Sequence, residues 1–250
     1  MRLPEEVTDL VAQGAIFFVS HSGGKDSQAM YALLKDVIPF NQLVVVHANL
    51  GEVEWPGVIE HIEANIVHQL HVVRAEKTFL GMVEARGMWP SAAYRQCTSD
   101  LKRGPIFKFI RRYLRERGLR IAVNCMGLRA AESVARAKRP PFRFNASESC
   151  GHRDVWDWLP IFNLTTAEVF QTIADAGQQP FWAYRRNERL SCVFCIMGNR
   201  NDLRHGAEQN SELYRKYVEL ERRIGHTMFT SGSEPVFLED YTGIKATERR

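Results

Sequence analysis

The chain has 250 residues, of which 45% are hydrophobic and 25% are charged, and its formal net charge is +4. This composition is that of a globular protein with a core, and it excludes a disordered or fibrous chain. Acidic residues stand early, no apolar leader is visible, and no apolar run reaches the length of a membrane span. We therefore expect a cytoplasmic protein without membrane contact. Five cysteines, an odd number, argue against a disulfide framework and favour metal binding or thiol reactivity.

Strand and helix patterns alternate in the first third of the chain. The predicted elements are a helix over 4–13, strands over 15–19, 42–48 and 70–73, and an amphipathic helix over 58–70. Continuous apolar strands between helices are typical of parallel sheets covered on both faces. The sequence therefore predicts an α/β fold with a doubly wound parallel sheet. Ligands of such sheets bind at the strand carboxyl ends, where the loops 21–27 and 49–56 would meet.

Six residues directly after the first strand suit a bound phosphate: Ser22, Gly23, Gly24, Lys25, Asp26 and Ser27. A helix begins there, and helix N-termini present unpaired N–H groups and a partial positive charge. The glycines let the backbone curl around an anion, and Lys25 adds a full charge. The spacing differs from the Walker motif. An ordinary strand-to-helix turn with a surface lysine is the structural alternative.

The middle of the chain is basic. The spacing predicts a helix over 105–117 with apolar residues on one face and basic residues on the other, which is either a solvated face or a footprint for a polyanion. A strand over 119–126 ends at Gly127 and Arg129, where arginines could clamp phosphates.

The remaining pattern predicts further elements and a division of the chain. We expect a mobile loop over 137–153, a strand over 155–161, a helix from 164 to 176, and a helical region over 199–223. The predicted domains are a nucleotide-binding α/β domain over 1–190 and a helical, cysteine-containing extension over 191–250, packed on the same domain.

Cys192 and Cys195 have a spacing that lets both thiolates reach one metal centre. Two buried cysteines, a redox pair and half a zinc site are the alternatives.

Several motifs occur together and in order. They are the loop at 22–27, Cys97 followed by Lys102 and Pro105, Gly127-Leu128-Arg129 with Glu132, Ser133 and Arg136, Trp158-Leu159-Pro160-Ile161, and the pair Cys192 and Cys195. Over residues 15–198 they resemble the phosphoadenosine phosphosulfate (PAPS) reductase family of the PP-loop adenine nucleotide α-hydrolase superfamily.

The resemblance implies a set of site residues. The adenine nucleotide would be held by Ser20, Ser22, Gly23, Gly24, Lys25, Asp26, Ser27, Asn49, Gly127, Arg129 and Arg136, of which Lys25, Asp26 and Arg129 would be catalytic. Mg²⁺ would bridge the phosphates of ATP, helped by Asp26 or Glu52. Cys97, Cys192 and Cys195 would hold a [4Fe–4S] cluster, with Cys150, Cys125, a histidine or an open iron at the fourth position.

Two departures from the assimilatory reductases stand out. Cys97 precedes a threonine where those enzymes have a second cysteine, and no cysteine follows Cys195 where they need a nucleophile. The chain is in this respect more similar to phosphorothioation-type (DndC-like) members. That similarity implies ATP cleavage at the α-phosphate to AMP and pyrophosphate, which activates a nucleic acid or nucleotide for sulfur transfer. A sulfonucleotide reductase-like enzyme and a non-catalytic subunit that binds ATP and nucleic acid are the alternatives.

The same reading predicts partners. DNA or tRNA would contact the basic residues 102–120 and 136–143. A sulfur donor such as a cysteine desulfurase would supply the sulfur, and aromatic residues near the end of the chain could form a homodimer contact.

Overall fold

The computed structural model describes residues 2–232 and 234–246. Within them the helices are α1 (Glu5–Ala12), α2 (Lys25–Leu34), α3 (Val58–Ala64), α4 (Phe79–Arg86), α5 (Gln96–Thr98), α6 (Gly104–Arg117), α7 (Val134–Ala137), α8 (Thr166–Asp175), α9 (Arg200–Gln209), α10 (Ser211–Ile224) and α11 (Leu238–Thr242). The strands are β1 (Ile16–Ser20), β2 (Leu43–Ala48), β3 (Leu70–Val73), β4 (Ile121–Cys125), β5 (Phe142–Phe144), β6 (Asp154–Trp158), β7 (Phe229–Ser231) and β8 (Glu234–Val236). A π-helical turn, Ser99–Arg103, joins α5 to α6.

One sheet contains β1 to β6 in the order β3-β2-β1-β4-β6-β5. Neighbouring strands from β3 to β6 are parallel, and β5 pairs antiparallel with β6 at the edge. The strand order changes direction between β1 and β4, which places a topological switch point there. The segments that follow these two strands, Ser22–Ser27 and Gly127–Arg129, therefore lie where a doubly wound sheet binds its ligand.

Helices cover both faces of this sheet. On β1, Phe17 and Val19 face a core shared with α1, α2 and α8, whereas Ile16 and Phe18 face a second core shared with α6. Burial on both faces explains why the strands are apolar without interruption. The predicted doubly wound α/β class is confirmed, with one antiparallel edge strand in an otherwise parallel sheet.

Three sequence predictions need correction. The helix predicted over 58–70 ends at Ala64. The segment predicted as a mobile loop over 137–153 contains β5, whose residues Phe142 and Phe144 pack on Trp156 with ring centroids 5.1 Å away in each case. The helical region over 199–223 is two helices, α9 and α10, which meet at Asn210.

The chain forms two compact units. The first comprises Met1–Ala48, Gly57–Val73 and Pro105–Phe181, and the second comprises Asn49–Pro56, Arg74–Gly104 and Trp182–Arg250. The six-stranded sheet belongs to the first unit. Cys97, Cys192 and Cys195 all belong to the second, although almost a hundred residues of chain separate the first of them from the others. A boundary at residue 190 stays a prediction.

Candidate nucleotide site and thiol site

The loop Ser22–Ser27 turns sharply between β1 and α2. Gly23 has a φ of 75°, in the left-handed region that glycine enters without a steric penalty. The backbone N–H of Ser22 donates to Ser27 Oγ at 3.1 Å, and that hydroxyl donates to the Gly24 carbonyl at 2.9 Å. These bonds close the loop on itself at the N-terminus of α2. The helix thereby presents its first N–H groups beside Lys25, which is only 7% exposed.

Arg129, in the segment after β4, stabilises this loop through its side chain. Its side chain is buried, and Nε donates to Asp26 Oδ1 at 2.7 Å. The two terminal nitrogens donate to the Leu164 carbonyl at 3.1 Å and to Thr166 Oγ1 at 3.2 Å. The guanidinium therefore ties the loop Ser22–Ser27, called the phosphate loop after its predicted ligand, to the start of α8. A direct clamp on phosphate by Arg129 stays a prediction, since each of its three nitrogens already has a protein acceptor.

Gly127 allows the next loop to approach the phosphate loop closely. A Cβ at this position would lie 3.1 Å from the Asp26 carbonyl carbon and 3.2 Å from both the Asp26 oxygen and the Ser27 nitrogen. All three atoms are backbone, so they cannot rotate away. Gly127 is thus required by packing at the predicted site.

Arg136 is joined to the same group of residues through Glu132. It forms an ion pair with the Glu132 carboxylate, which also accepts the Arg129 backbone N–H at 2.9 Å. Burial alone would raise the pKa of Glu132, but the hydrogen bonds from Arg129 and Arg136 outweigh it and lower that pKa. The structure therefore brings Ser22–Ser27, Gly127, Arg129 and Arg136 into one connected network.

Two predicted nucleotide-binding residues have other contacts. Ser20, the last residue of β1, donates through Oγ to Asn124 Oδ1 at 3.4 Å. Asn49 is buried in the second unit, and its Oδ1 accepts the Gly51 N–H at 2.6 Å. Their roles in binding a nucleotide stay predictions.

His21 is a loop residue that the sequence analysis did not single out. It is buried, and its Nδ1 accepts the Gly23 N–H at 3.1 Å, so the ring is neutral with its proton on Nε2. Burial, with smaller contributions from His47 and His61, lowers the pKa of His21 to about 3. Nε2 has no hydrogen-bond partner among the described residues. The histidine directly before the Ser-Gly-Gly sequence was the available signal.

The second unit brings the three predicted cluster cysteines into one electrostatic environment. Cys97 lies on α5, and Cys192 and Cys195 lie in the loop before α9. Each of them is partly buried, and all three interact electrostatically with the Lys102 ammonium group. The Met197 backbone N–H donates to Cys195 Sγ at 3.5 Å.

Burial and mutual electrostatic interactions shift the pKa values of the thiols and of Lys102. Burial raises the pKa of Cys192 to about 12, against a lowering by Lys102. Burial also raises the pKa of Cys97, and Lys102 again opposes the change. Burial lowers the pKa of Lys102, but the thiols and Glu54 more than compensate, so the net change is upward. The Lys102 ammonium group therefore interacts electrostatically with all three thiols.

A glycine on α9 seats the Cys192–Cys195 loop. A Cβ on Gly206 would lie 2.9 Å from Val193 Cγ1, 3.1 Å from the Val193 oxygen and 3.2 Å from Phe194 Cε1. The Val193 N–H donates to the Val53 carbonyl at 2.9 Å, which holds the loop from the other side. The loop is therefore held by close packing on Gly206 and by the backbone hydrogen bond to Val53.

The two candidates for a fourth ligand belong to the first unit. Cys125 is fully buried in the sheet core, where desolvation and Asp157 raise its pKa well above the usual value. Cys150 is exposed, and its Sγ lies 3.5 Å from His152 Nε2. Within residues 2–232 and 234–246, no three His, Cys, Asp or Glu side chains are already arranged to hold a metal ion.

Among the described residues, no helix is both long and apolar enough to cross a membrane.

Residues 16–224 match the family described as the phosphoadenosine phosphosulfate reductase domain. An uncharacterised protein of Methanocaldococcus jannaschii is 25% identical over 219 residues, which cover 83% of this chain and 48% of the relative. An uncharacterised 37.8 kDa protein of Escherichia phage 186 is 24% identical over 279 aligned residues, which cover 90% of this chain and 82% of the relative. The chain thus spans about half the length of the archaeal relative.

Two solved structures are also similar. The phosphate complex of PAPS reductase from Candida auris is 15% identical, with 72% of this chain and 90% of that chain covered and a TM-score of 0.43. FMN adenylyltransferase from Candida glabrata is 16% identical, with 72% and 53% covered and a TM-score of 0.45. Both TM-scores lie below 0.5, so the fold assignment depends on the strand order and the family match.

Proposed function

Because the chain belongs to the phosphoadenosine phosphosulfate reductase domain family, we propose that it binds ATP at Ser22–Ser27 and cleaves it at the α-phosphate. The observation that carries this proposal is the closed loop at the N-terminus of α2. This loop contains the buried Lys25, and the ion pair between Asp26 and Arg129 holds it in place. Such a loop binds phosphates through backbone N–H groups, the helix dipole and one mobile cation.

The proposed reaction has two steps, adenylation of a substrate oxygen and displacement of AMP by sulfur. A substrate oxygen attacks the α-phosphorus, the bond to the bridging oxygen breaks, and pyrophosphate leaves with the electron pair. A sulfur nucleophile then displaces the adenylated oxygen, and AMP carries that oxygen away. Lys25 and the α2 N-terminus stabilise the charge that builds on the leaving pyrophosphate. Arg129 acts indirectly, because it holds Asp26 and hence the loop in place.

Mg²⁺ would accompany ATP through the phosphate oxygens. The two carboxylates predicted to help are paired with cations. Asp26 accepts from Arg129 at 2.7 Å, and Glu52 accepts from Lys216 at 2.5 Å. We therefore assign neither carboxylate as a magnesium ligand.

We extend the proposal to a [4Fe–4S] cluster at Cys97, Cys192 and Cys195. The chemistry of the donors supports it, since thiolates are the ligands that iron–sulfur clusters use, and N–H···S bonds like that from Met197 to Cys195 are among the features that tune them. Binding would require the thiols to lose their protons and rotate onto the metal. When bound, the cluster would carry or relay sulfur. Neither Cys125 nor Cys150 is assigned as the fourth ligand.

The sulfur acceptor is proposed to be a nucleic acid or nucleotide, and the sulfur donor a protein such as a cysteine desulfurase. The support is the exposed basic face of α6, together with the exposed basic residues Lys138, Arg139 and Arg143. Three of its arginines also form ion pairs within the protein. Arg111 pairs with Glu148 at 2.8 Å, and Arg112 and Arg117 pair with Glu116 at 3.8 and 3.9 Å. A homodimer is a further proposal.

The decisive experiment is ATP–pyrophosphate exchange by the anaerobically purified full chain, with DNA, tRNA and small nucleotides as acceptors. We expect exchange with one acceptor class, reduced about 10-fold or more in Lys25→Gln because transition-state charge loses its partner. Lys35→Gln is the matched control, since Lys35 pairs with Asp36 at the far end of α2. Absence of exchange with every acceptor, or full exchange by Lys25→Gln, would refute the proposal.

A sulfonucleotide reductase-like activity is the second candidate, and the family match favours it. It predicts sulfite release from adenylyl sulfate or PAPS with a thiol reductant. A subunit that binds ATP without turnover predicts binding but no pyrophosphate release. Iron and sulfide analysis, with the absorption spectrum near 400 nm, separates a cluster from a colourless zinc site.

A further inference from the structure

Tyr217 on α10 has a buried hydroxyl without a hydrogen-bond partner in the described part of the chain. The side chain is 0% exposed, and its OH forms no hydrogen bond with any described residue. Its ring is held firmly, with centroids 5.0 Å from Trp89 and 6.1 Å from Phe79 in stacked geometry. Burying a hydroxyl without a partner costs free energy, and a phenylalanine would fill the same space without that cost. The hydroxyl therefore needs an explanation outside the packing.

The ring contacts place Tyr217 against the loop that carries Cys192 and Cys195. Tyr217 packs against Phe194 with centroids 4.9 Å apart, and Phe194 lies between Cys192 and Cys195 in the chain. Burial raises the pKa of Tyr217 well above its usual value, and ionisation of Cys192, Cys195 or Cys97 would raise it further. Tyr217 therefore belongs to the same buried group of side chains as Phe194, in the loop that carries Cys192 and Cys195.

Tyr214, one turn earlier on α10, shows the contrast. It packs against the same Phe194 ring with centroids 5.5 Å apart, but its hydroxyl contacts Thr242 Oγ1 and the Ile244 carbonyl, both at 2.7 Å. Two tyrosines on one helix therefore share an aromatic neighbour, and among the residues that the structure describes only Tyr214 finds hydrogen-bond partners for its hydroxyl.

We propose that Tyr217 is a positioning residue whose hydroxyl donates a hydrogen bond to sulfur at the thiol site when that site binds a metal. This inference rests on the proposed metal-binding function of Cys97, Cys192 and Cys195. A protonated thiol is a weak acceptor, whereas a metal-bound thiolate or sulfide carries negative charge and accepts strongly. Such bonds to sulfur tune the reduction potential of iron–sulfur centres.

The test compares the full chain with Tyr217→Phe and the matched control Tyr214→Phe. Each protein is reconstituted anaerobically with iron and sulfide, and separately with Co²⁺ alone. In Tyr217→Phe we expect a lower midpoint potential of the iron–sulfur centre and a thiolate-to-cobalt absorption band at lower energy, because the sulfur keeps electron density that the hydroxyl withdrew. Tyr214→Phe should leave both readouts at the wild-type values.

A wild-type potential and band in Tyr217→Phe, or equal shifts in Tyr214→Phe, would overturn the inference. In the metal-free protein, Tyr217→Phe should unfold at the same urea concentration as wild type or a higher one. A lower midpoint would mean that the hydroxyl has a protein partner and would also overturn it. If Co²⁺ binds but iron and sulfide do not, the cluster proposal fails. The cobalt absorption band then still tests whether the Tyr217 hydroxyl donates a hydrogen bond to sulfur. If neither binds, the inference falls, and pyrophosphate exchange separately judges the nucleotide function.

Discussion

Gly127→Ala tests whether the segment after β4 supports the phosphate loop by close backbone packing. The new methyl group would meet three backbone atoms of Asp26 and Ser27 at 3.1–3.2 Å, a few tenths of an ångström inside ordinary contact. Overpacking against atoms that cannot rotate costs about 1–3 kcal/mol. Replacing glycine at an allowed φ also stabilises by about 0.4–1 kcal/mol through the unfolded chain. The expected net loss of unfolding free energy is about 1–2 kcal/mol.

Gly151→Ala is the matched control, because a Cβ there meets no atom within 4 Å and its φ lies outside the left-handed range. It should stabilise slightly, so the difference between the two variants isolates the overpacking. Urea unfolding measures both free energies, and calorimetric titration with ATP measures binding. We expect weaker ATP binding only in Gly127→Ala, because the displaced atoms belong to the loop. Equal stability and equal ATP affinity in the two variants would refute this reasoning.

Three further changes have defined outcomes. The pKa of His21 is about 3 in the folded protein and 6.5 in the unfolded chain, so lowering the pH from 7 to 5 protonates the unfolded chain first and lowers the free energy of unfolding by about 2 kcal/mol. His21→Asn should remove that part of the pH dependence in urea titrations. An unchanged dependence of the unfolding free energy on pH would disprove the assignment. A glycine-to-alanine change within a helix normally stabilises it, but Gly206→Ala should destabilise the protein by about 1–3 kcal/mol because the new methyl group displaces Val193. It should also lower the amount of metal bound per chain. A stabilised variant would contradict this prediction. Thr165→Ala removes the N-cap of α8 and should cost about 1 kcal/mol in the same unfolding assay, without changing thiol accessibility.

The sequence alone determined the features that depend on local patterns. Continuous apolar runs between helical patterns were sufficient for the doubly wound sheet, because buried parallel strands need no polar face. The turn at Gly23 and the N-cap of α8 follow from residue types within a few positions of one another, and both are present. The amphipathic pattern of α6 likewise matches its buried and exposed faces.

Tertiary structure decided the features that join distant segments. Arg129 and Asp26 are 103 residues apart, and only the adjacency of β1 and β4 makes one brace the other. No local pattern could show that Tyr217 packs against Phe194, between Cys192 and Cys195, because this contact arises from folding of the second unit. The strand within 142–144 was missed for the same reason, since an edge strand is defined by its partner β6 rather than by its own three residues.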